Sequence, residues 1–289
     1  MGITWELDFY SRPIVDENKK KVWEVLICES PVSVTQSMDQ LFSFSRFCPS
    51  DQVNSEFLRN AIADAIQQAG VKPQKVRFFR RQMSNMITKG VEDSGLEASP
   101  SRHTYAIERL LTQRTQEVYP KEPGYDPNLE KTGFVQYPDL NSINLPDAVR
   151  GDQGDKWAIV GLDRTQLQEM EEWEIGFKEA FPFDLISDPG QINNIPGLLM
   201  FSPRAEALAA WISGLELAFL SFEDGPLPRI LLDTSVSDRW NLVNLTNEAT
   251  VKEGKSFAEA KQQAQGVHFL AIQSDSESER FAGFWLLKG

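Results

Sequence analysis

The chain has 289 residues, of which 41% are hydrophobic and 25% charged, and a formal net charge of −13 at pH 7. This is the composition of a folded protein, long enough for two ordinary domains with a core each; it excludes a disordered chain and argues against a wholesale nucleic-acid binder, which is usually basic. No apolar run approaches the roughly 20 residues of a membrane-spanning helix, and the two cysteines, Cys28 and Cys48, make no disulfide framework and read as free thiols of a reducing compartment.

Thr4–Ser30 alternates. Trp5, Leu7 and Phe9 fall on one face, Glu6, Asp8 and Tyr10 on the other, and Trp23, Val25 and Ile27 again share a face. The pattern predicts a β-hairpin turning at Asp16–Lys19, with Asn18 taking the left-handed backbone of the turn and Pro13 at an edge or bulge. Pro31–Asp51 reads as a loop with buried aromatic anchors. Ser55–Ala69 carries a helical apolar stripe, with Asn54 as its cap and Gly70 as its stop. Lys75–Arg80 predicts a strand, Gln82–Val91 a helix, and Ser99-Pro100 the start of a helix running to about Val118. Pro120, Pro123, Pro127, Pro138 and Pro146 mark residues 121–155 as a linker, whose Tyr125, Phe134 and Tyr137 suggest packing along a domain. Domains are therefore expected at 1–120 and 156–289.

The second half begins with a strand at Lys156–Leu162 and a helix at Thr165–Trp173 opened by a Thr-x-x-Gln box. A strand at Pro196–Phe201 and a helix from Ser202-Pro203 to Ser213 follow. Strands are expected at Leu217–Phe222, Arg229–Asp233, Arg239–Leu245, Val267–Gln273 and Phe281–Leu287, and a helix opened by a box at Ser256–Glu259. Both halves are mixed, so the fold class is α+β. Each contains a hairpin–helix–strand unit. An internal duplication is one reading of that recurrence, and two occurrences of a common unit is the other.

No phosphate-binding glycine loop, nucleophile elbow or zinc-ligand spacing is present, and only His103 and His268 could serve a catalytic triad. A capping or surface role suits His103. Glu169, Glu171, Glu172 and Glu174 read as a solvated helix face. No strand pair carries the acid pattern of a metal nuclease, so neither catalysis nor a cofactor is expected. What stands out is charge placement. Residues 1–121 are nearly neutral at +1, and the remainder carries −14. Lys72, Lys75, Arg77, Arg80, Arg81 and Lys89 run without an intervening acid, with Lys75, Arg77 and Phe79 on one strand face. Arg102 and Arg109, two helical turns apart, would extend the patch. Cations meet phosphates, and an aromatic such as Phe79 can stack on an unpaired base. The competing reading is that the arginines make structural salt bridges to the acidic second domain. The apolar ending Phe284–Leu287 reads as a last strand in a sheet, with an RNA or partner contact through Trp285 as the sharper alternative.

The segments WELDFYSRPI, WEVLICES, SRHTYAIERLLTQRTQEVYP and FAGFWLLKG together resemble the Tab-two/Atab-two family, from Thr4 to Lys288. The resemblance implies an RNA-binding protein of cyanobacteria or chloroplasts that promotes expression of photosystem reaction-centre subunits. Its partners would be single-stranded RNA, together with photosystem-assembly or translation proteins. The candidate RNA contacts are Lys72, Lys75, Arg77, Phe79, Arg80, Arg81, Arg102, Arg109 and Trp285. No leader precedes Trp5, so the expected location is the cytoplasm, or a chloroplast after trimming, with thylakoid membranes as a surface it could approach. A protein-binding scaffold and a metal-dependent nuclease remain the alternatives.

Overall fold

Strand β1 (Thr4–Val15) is the longest of its sheet and the one the first unit is built on. It pairs antiparallel with β2 (Lys21–Glu29) on one side, and parallel with β4 (Lys75–Phe78) on the other. The computed structural model describes residues 2–132, 140–151, 155–186, 190 and 192–289. Phe134, Tyr137 and Pro138 of the expected linker lie outside the described residues. The chain divides into two units, Met1–Pro31 with Asp39–Tyr137, and Val32–Met38 with Pro138–Gly289. Both are α+β.

In the first unit the strand order is β3-β2-β1-β4-β5, with β3 at Ser43–Cys48 and β5 at Glu97–Pro100. Helices α1 (Ser55–Ala69) and α2 (Ser84–Glu92) cover the apolar face. Trp5, Leu7, Phe9, Val25, Ile27, Val76 and Phe78 meet Leu58, Ala61, Ile62, Ile87 and Val91 there, all buried. Asn54 Oδ1 accepts the N–H of Phe57 at 2.8 Å, and Gly70 ends α1 at φ 67°. Helix α3 (Tyr105–Glu117) packs on the opposite face.

Several expectations shift. Lys19, not Asn18, takes the left-handed conformation (φ 62°) at the hairpin turn. The expected loop Pro31–Asp51 contains the edge strand β3, because Phe44, Arg46 and Cys48 alternate with Ser43, Ser45 and Phe47. Ser99-Pro100 closes β5 rather than opening a helix: Ser101 N–H continues the ladder to Phe78 O at 2.8 Å, and α3 begins only at Tyr105. Pro13 does lie in an irregular stretch, where the β1–β2 register shifts between Ser11 and Val15. The start of the proline-rich segment grips that stretch. Val15 N–H donates to Gly124 O and Asp126 N–H to Pro13 O. Gly124 sits at φ 81°, and a Cβ there would run into the Val15 carbonyl.

The second unit holds two sheets. One is β10-β11-β12-β6, from Leu217–Glu223, Arg229–Thr234, Asp238–Asn244 and Ile143–Asn144. The other is β7-β9-β13-β14-β8, from Lys156–Asp163, Asn194–Phe201, Val267–Gln273, Phe281–Lys288 and Ile175–Glu179. Helix α4 (Arg164–Gln168) is short, and its box is Asp163 with Gln166, so the expected helix to Trp173 ends early. Helix α5 spans Ala205–Ser213. Helix α6 (Glu248–Gln263) begins at the Asn247 cap, which leaves Ser256 in its interior. The two hairpin–helix–strand segments differ in pairing. In the first unit β4 joins the sheet of its hairpin, whereas β13 leaves β11 and β12 for the other sheet.

Candidate nucleic-acid interface

The basic run crosses β4, a strand with neighbours on both sides whose Arg77 is buried on the face away from α1 and α2. Alternation along β4 therefore does not lift one row of cations into solvent. Val76 and Phe78 face α1 and α2. Arg77 lies opposite Glu6 across the parallel β1–β4 pair and is 4% exposed, and Arg80, just past the strand, is 5% exposed. Both were expected at the surface as phosphate contacts, and the structure places both side chains under cover. Lys72 and half-buried Lys75 lie at the start of β4, while Phe79, Arg80 and Arg81 lie past its carboxyl end. The run is split between opposite ends of the sheet.

What holds Arg80 is a charge network on the second face of the sheet. Asp8 Oδ1 accepts from Arg80 Nε at 2.7 Å, and Asp8 Oδ2 accepts from Arg12 Nη1 at 2.8 Å. Arg12 Nε donates to Glu24 Oε2 at 2.9 Å; Glu24 also takes the Tyr119 hydroxyl at 2.6 Å and the Arg114 guanidinium. The carboxylates of Asp8 and Glu24 are fully buried. Burial alone would raise the Asp8 carboxyl, but the facing charges of Arg12 and Arg80 outweigh it and hold it below its ordinary value. Burial raises the Tyr119 phenol. Arg80 also lies 4.1 Å from the Tyr10 ring centroid and 4.7 Å from that of Phe79, so half-buried Phe79 already faces a guanidinium.

A third buried acid lies on the same face. Glu6 Oε1 accepts from Ser30 Oγ at 2.7 Å, and Oε2 accepts the Ile107 N–H at 2.9 Å. Thr104, at the cap position of α3, makes no side-chain cap bond, so the first strand supplies the carboxylate that the helix start lacks. Burial pushes Glu6 up to about 7; the bonds from Ile107 and Ser30 and the charge of Arg77 oppose the shift.

The remaining candidates separate in the same way. Arg102 precedes α3 and is half-buried, while Arg109 is exposed on the helix, so they do not form one helical row. Lys75, Arg77, Arg80, Arg81 and Arg102 are each engaged by neighbouring groups. Lys89 pairs with Asp93 at 2.8 Å. Lys72 and Arg109 are exposed, and neither makes an ion pair among the described residues. Trp285, named with an RNA contact as the sharper reading, is 2% exposed in the core of the second unit. Lys19, Lys20 and Lys21, a run of three lysines, have no role in a reading of the hairpin as a turn; the signal that marks them is that run itself.

His103 is buried beside the Tyr105 ring, with centroids 4.4 Å apart, and not at the surface. His268 is buried with Nε2 accepting the Leu220 N–H at 2.7 Å and Nδ1 donating to Gly266 O at 2.8 Å. Burial holds its pKa well below the ordinary range. Lys261, lowered by burial to about 8, donates to Leu220 O at 2.7 Å. Among the described residues no group of three or more His, Cys, Asp or Glu side chains is arranged to hold a metal. A cavity of about 330 Å³ lies at the start of α5, lined by Arg204, Glu206, Ser274, Ser278 and Arg280 among others; Arg280 is tied to Glu206 and Glu174.

Fold and site define a two-unit α+β protein with a buried ionic brace and a lysine-tipped hairpin. A family model described as RNA-binding protein Tab2/Atab2 N terminal matches residues 4–114, and one described as RNA-binding protein Tab2/Atab2, C-terminal domain, matches residues 132–288. The chain is similar to a protein of Zea mays named Protein TAB2 homolog, chloroplastic, at 34% identity over 289 residues, 98% of this chain and 70% of that protein. A protein of the same name from Arabidopsis thaliana is 34% identical over 296 residues, 98% of this chain and 74% of that protein. The chain belongs to the Tab2/Atab2 family of RNA-binding proteins.

Proposed function

We propose that the chain is an RNA-binding factor that promotes expression, at the level of translation, and assembly of photosystem reaction-centre subunits. The observation that carries this reading is the pair of family models, both described as RNA-binding, that together match most of the chain. The photosystem role follows from the family resemblance. It suits a setting in cyanobacterial cytoplasm or chloroplast stroma, close to thylakoid membranes; among the described residues no helix is long and apolar enough to cross a membrane. No catalytic step and no cofactor are part of the proposal. Of the nine residues first named as RNA contacts, Lys72 and Arg109 are carried forward.

The test is ultraviolet crosslinking in cells of a photosynthetic host, with crosslinked peptides and RNA both identified, followed by pulse-labelling of thylakoid proteins in a strain lacking the chain. Crosslinks to a messenger for a reaction-centre subunit, with loss of synthesis of that subunit, are expected. Crosslinks to proteins alone would replace this reading with that of an assembly scaffold.

A further inference from the structure

The two long strands outrun their sheet. Pairing of β1 with β4 ends at Leu7–Phe78, and pairing of β2 with β3 ends at Trp23–Cys48. Past the Ser11–Trp23 pair the hairpin therefore extends beyond both flanking strands. It is held in place, since Val15 and Pro13 bond to Gly124 and Asp126 in the segment after α3. The turn itself is internally fixed. Asp16 Oδ1 accepts the backbone N–H of Asn18 at 2.9 Å and of Lys20 at 2.8 Å, and Asp16 N–H donates to Lys20 O. One acid of the tip is thus spent on the turn, while the lysine side chains are left outside it.

Lys19 and Lys20 are exposed, as is Lys121 at the start of the gripping segment, and Lys21 is half-buried. None of the four makes an ion pair among the described residues. This sets them apart from the run at residues 72–91, where Arg80 and Lys89 are paired and Lys75, Arg77 and Arg81 are engaged. A phosphate contact needs a cation whose charge is not already neutralised and which can shed a counterion on binding. An extended two-stranded ribbon with a fixed tip also brings such cations to a backbone without having to order a loop first. Lysine suits a contact that reads charge and not base identity, because its ammonium is a point charge with no fixed fork.

We infer that the tip of the β1–β2 hairpin, through Lys19, Lys20 and Lys21 with Lys121 beside it, is a sequence-independent contact for the phosphate backbone of RNA. The inference deepens the proposed function and rests on it. Base recognition belongs elsewhere on the molecule; the tip supplies affinity and its salt dependence.

The test uses the full chain and a labelled, unstructured oligouridylate, with affinity measured from about 50 to 200 mM KCl. A Lys19→Gln/Lys20→Gln/Lys21→Gln/Lys121→Gln variant is compared with Lys72→Gln/Arg109→Gln. Single-stranded binding loses about 0.7 in log–log salt slope per phosphate contact. The tip variant should therefore lose roughly 2–3 in slope, against at most about 1.4 for the double control. Circular dichroism and melting should match wild type, since the substituted side chains lie at the surface. A folded tip variant with the wild-type slope would overturn the inference while the RNA reading stands. A wild-type chain with no salt-dependent binding would overturn the RNA reading itself.

Discussion

Glu6 on the first strand accepts the backbone N–H of Ile107, 101 residues later in the first turn of α3, at 2.9 Å. A single carboxylate thereby joins the strand that opens the chain to the helix that covers its second face. Its other oxygen holds Ser30, where β2 has just ended. Cys28 lies across the β1–β2 pair from it, Arg77 across the β1–β4 pair, and Glu108 on the helix.

The first prediction follows from that carboxyl. Burial raises Glu6 in the folded state from 4.5 to about 7, so its proton favours the fold. The stabilisation is complete below about pH 4.5 and is lost as pH rises through about 7, a swing on the order of 3 kcal/mol at most. Glu6→Gln keeps an acceptor for Ile107 and removes the titration. Its urea midpoint should hardly move between pH 5 and 8 where wild type declines, and equal declines would refute the assignment.

Arg80 gives the second. If it braces Asp8, Arg80→Met should lower stability by about 3–5 kcal/mol, because a buried carboxylate loses one of two partners. The salt slope of RNA binding by the folded fraction should be unchanged. A stable Arg80→Met protein with a reduced slope would restore Arg80 as a phosphate ligand.

Trp285 makes a similar claim on core packing. The side chain is buried on β14 and stands so close to Gly283 that a Cβ there would meet its ring. Trp285→Ala should cost about 3–5 kcal/mol in denaturant unfolding and leave RNA affinity of the folded protein intact.

Both cysteines should be free and slow to react. Burial raises the Cys48 thiol to about 11 and raises that of Cys28 as well. Cys48 pairs with Trp23, and Cys28 lies five residues further along the same strand, so the two cannot meet. Native protein should release little thiolate to a colorimetric thiol reagent over minutes, and unfolded protein should release two equivalents. A native disulfide seen by mass would contradict this.

The strap across the hairpin offers a local test. Gly124→Ala places a side chain at φ 81° against the Val15 carbonyl and should destabilise by more than about 1 kcal/mol, read as a lower melting temperature. An unchanged melting temperature would mean that the strap yields.

Alternation, caps and stops were legible wherever one local rule governed. The hairpin strands, α1 between Asn54 and Gly70, and β13 and β14 follow from periodicity and the chemistry of single residues. Family membership was legible as well, because aromatic strand segments at both ends of the chain survive as recognisable strings. Local rules failed where a neighbour outbid them. Ser99-Pro100 has the residues of a helix start, yet the parallel ladder to β4 claims it. Phe44 to Cys48 alternates like a strand, but its serines read as loop until β2 offers an edge.

The candidate site depended most on what lies above each face. Sequence by itself determined that Glu6, Asp8, Arg77 and Arg80 exist, and that the strands alternate; it is silent on which layer covers the polar face. Only the tertiary structure decided that α3 packs on that face, that Arg80 reaches Asp8, and that Arg77 is buried opposite Glu6. It also decided that the hairpin outruns β3 and β4, and that Lys19, Lys20 and Lys21 make no ion pair among the described residues. The physical reason is that a charge's role depends on its distance to the nearest opposite charge and on its access to water. Both are set by segments about 70 to 100 residues away, as in Asp8 with Arg80 and Glu6 with Ile107.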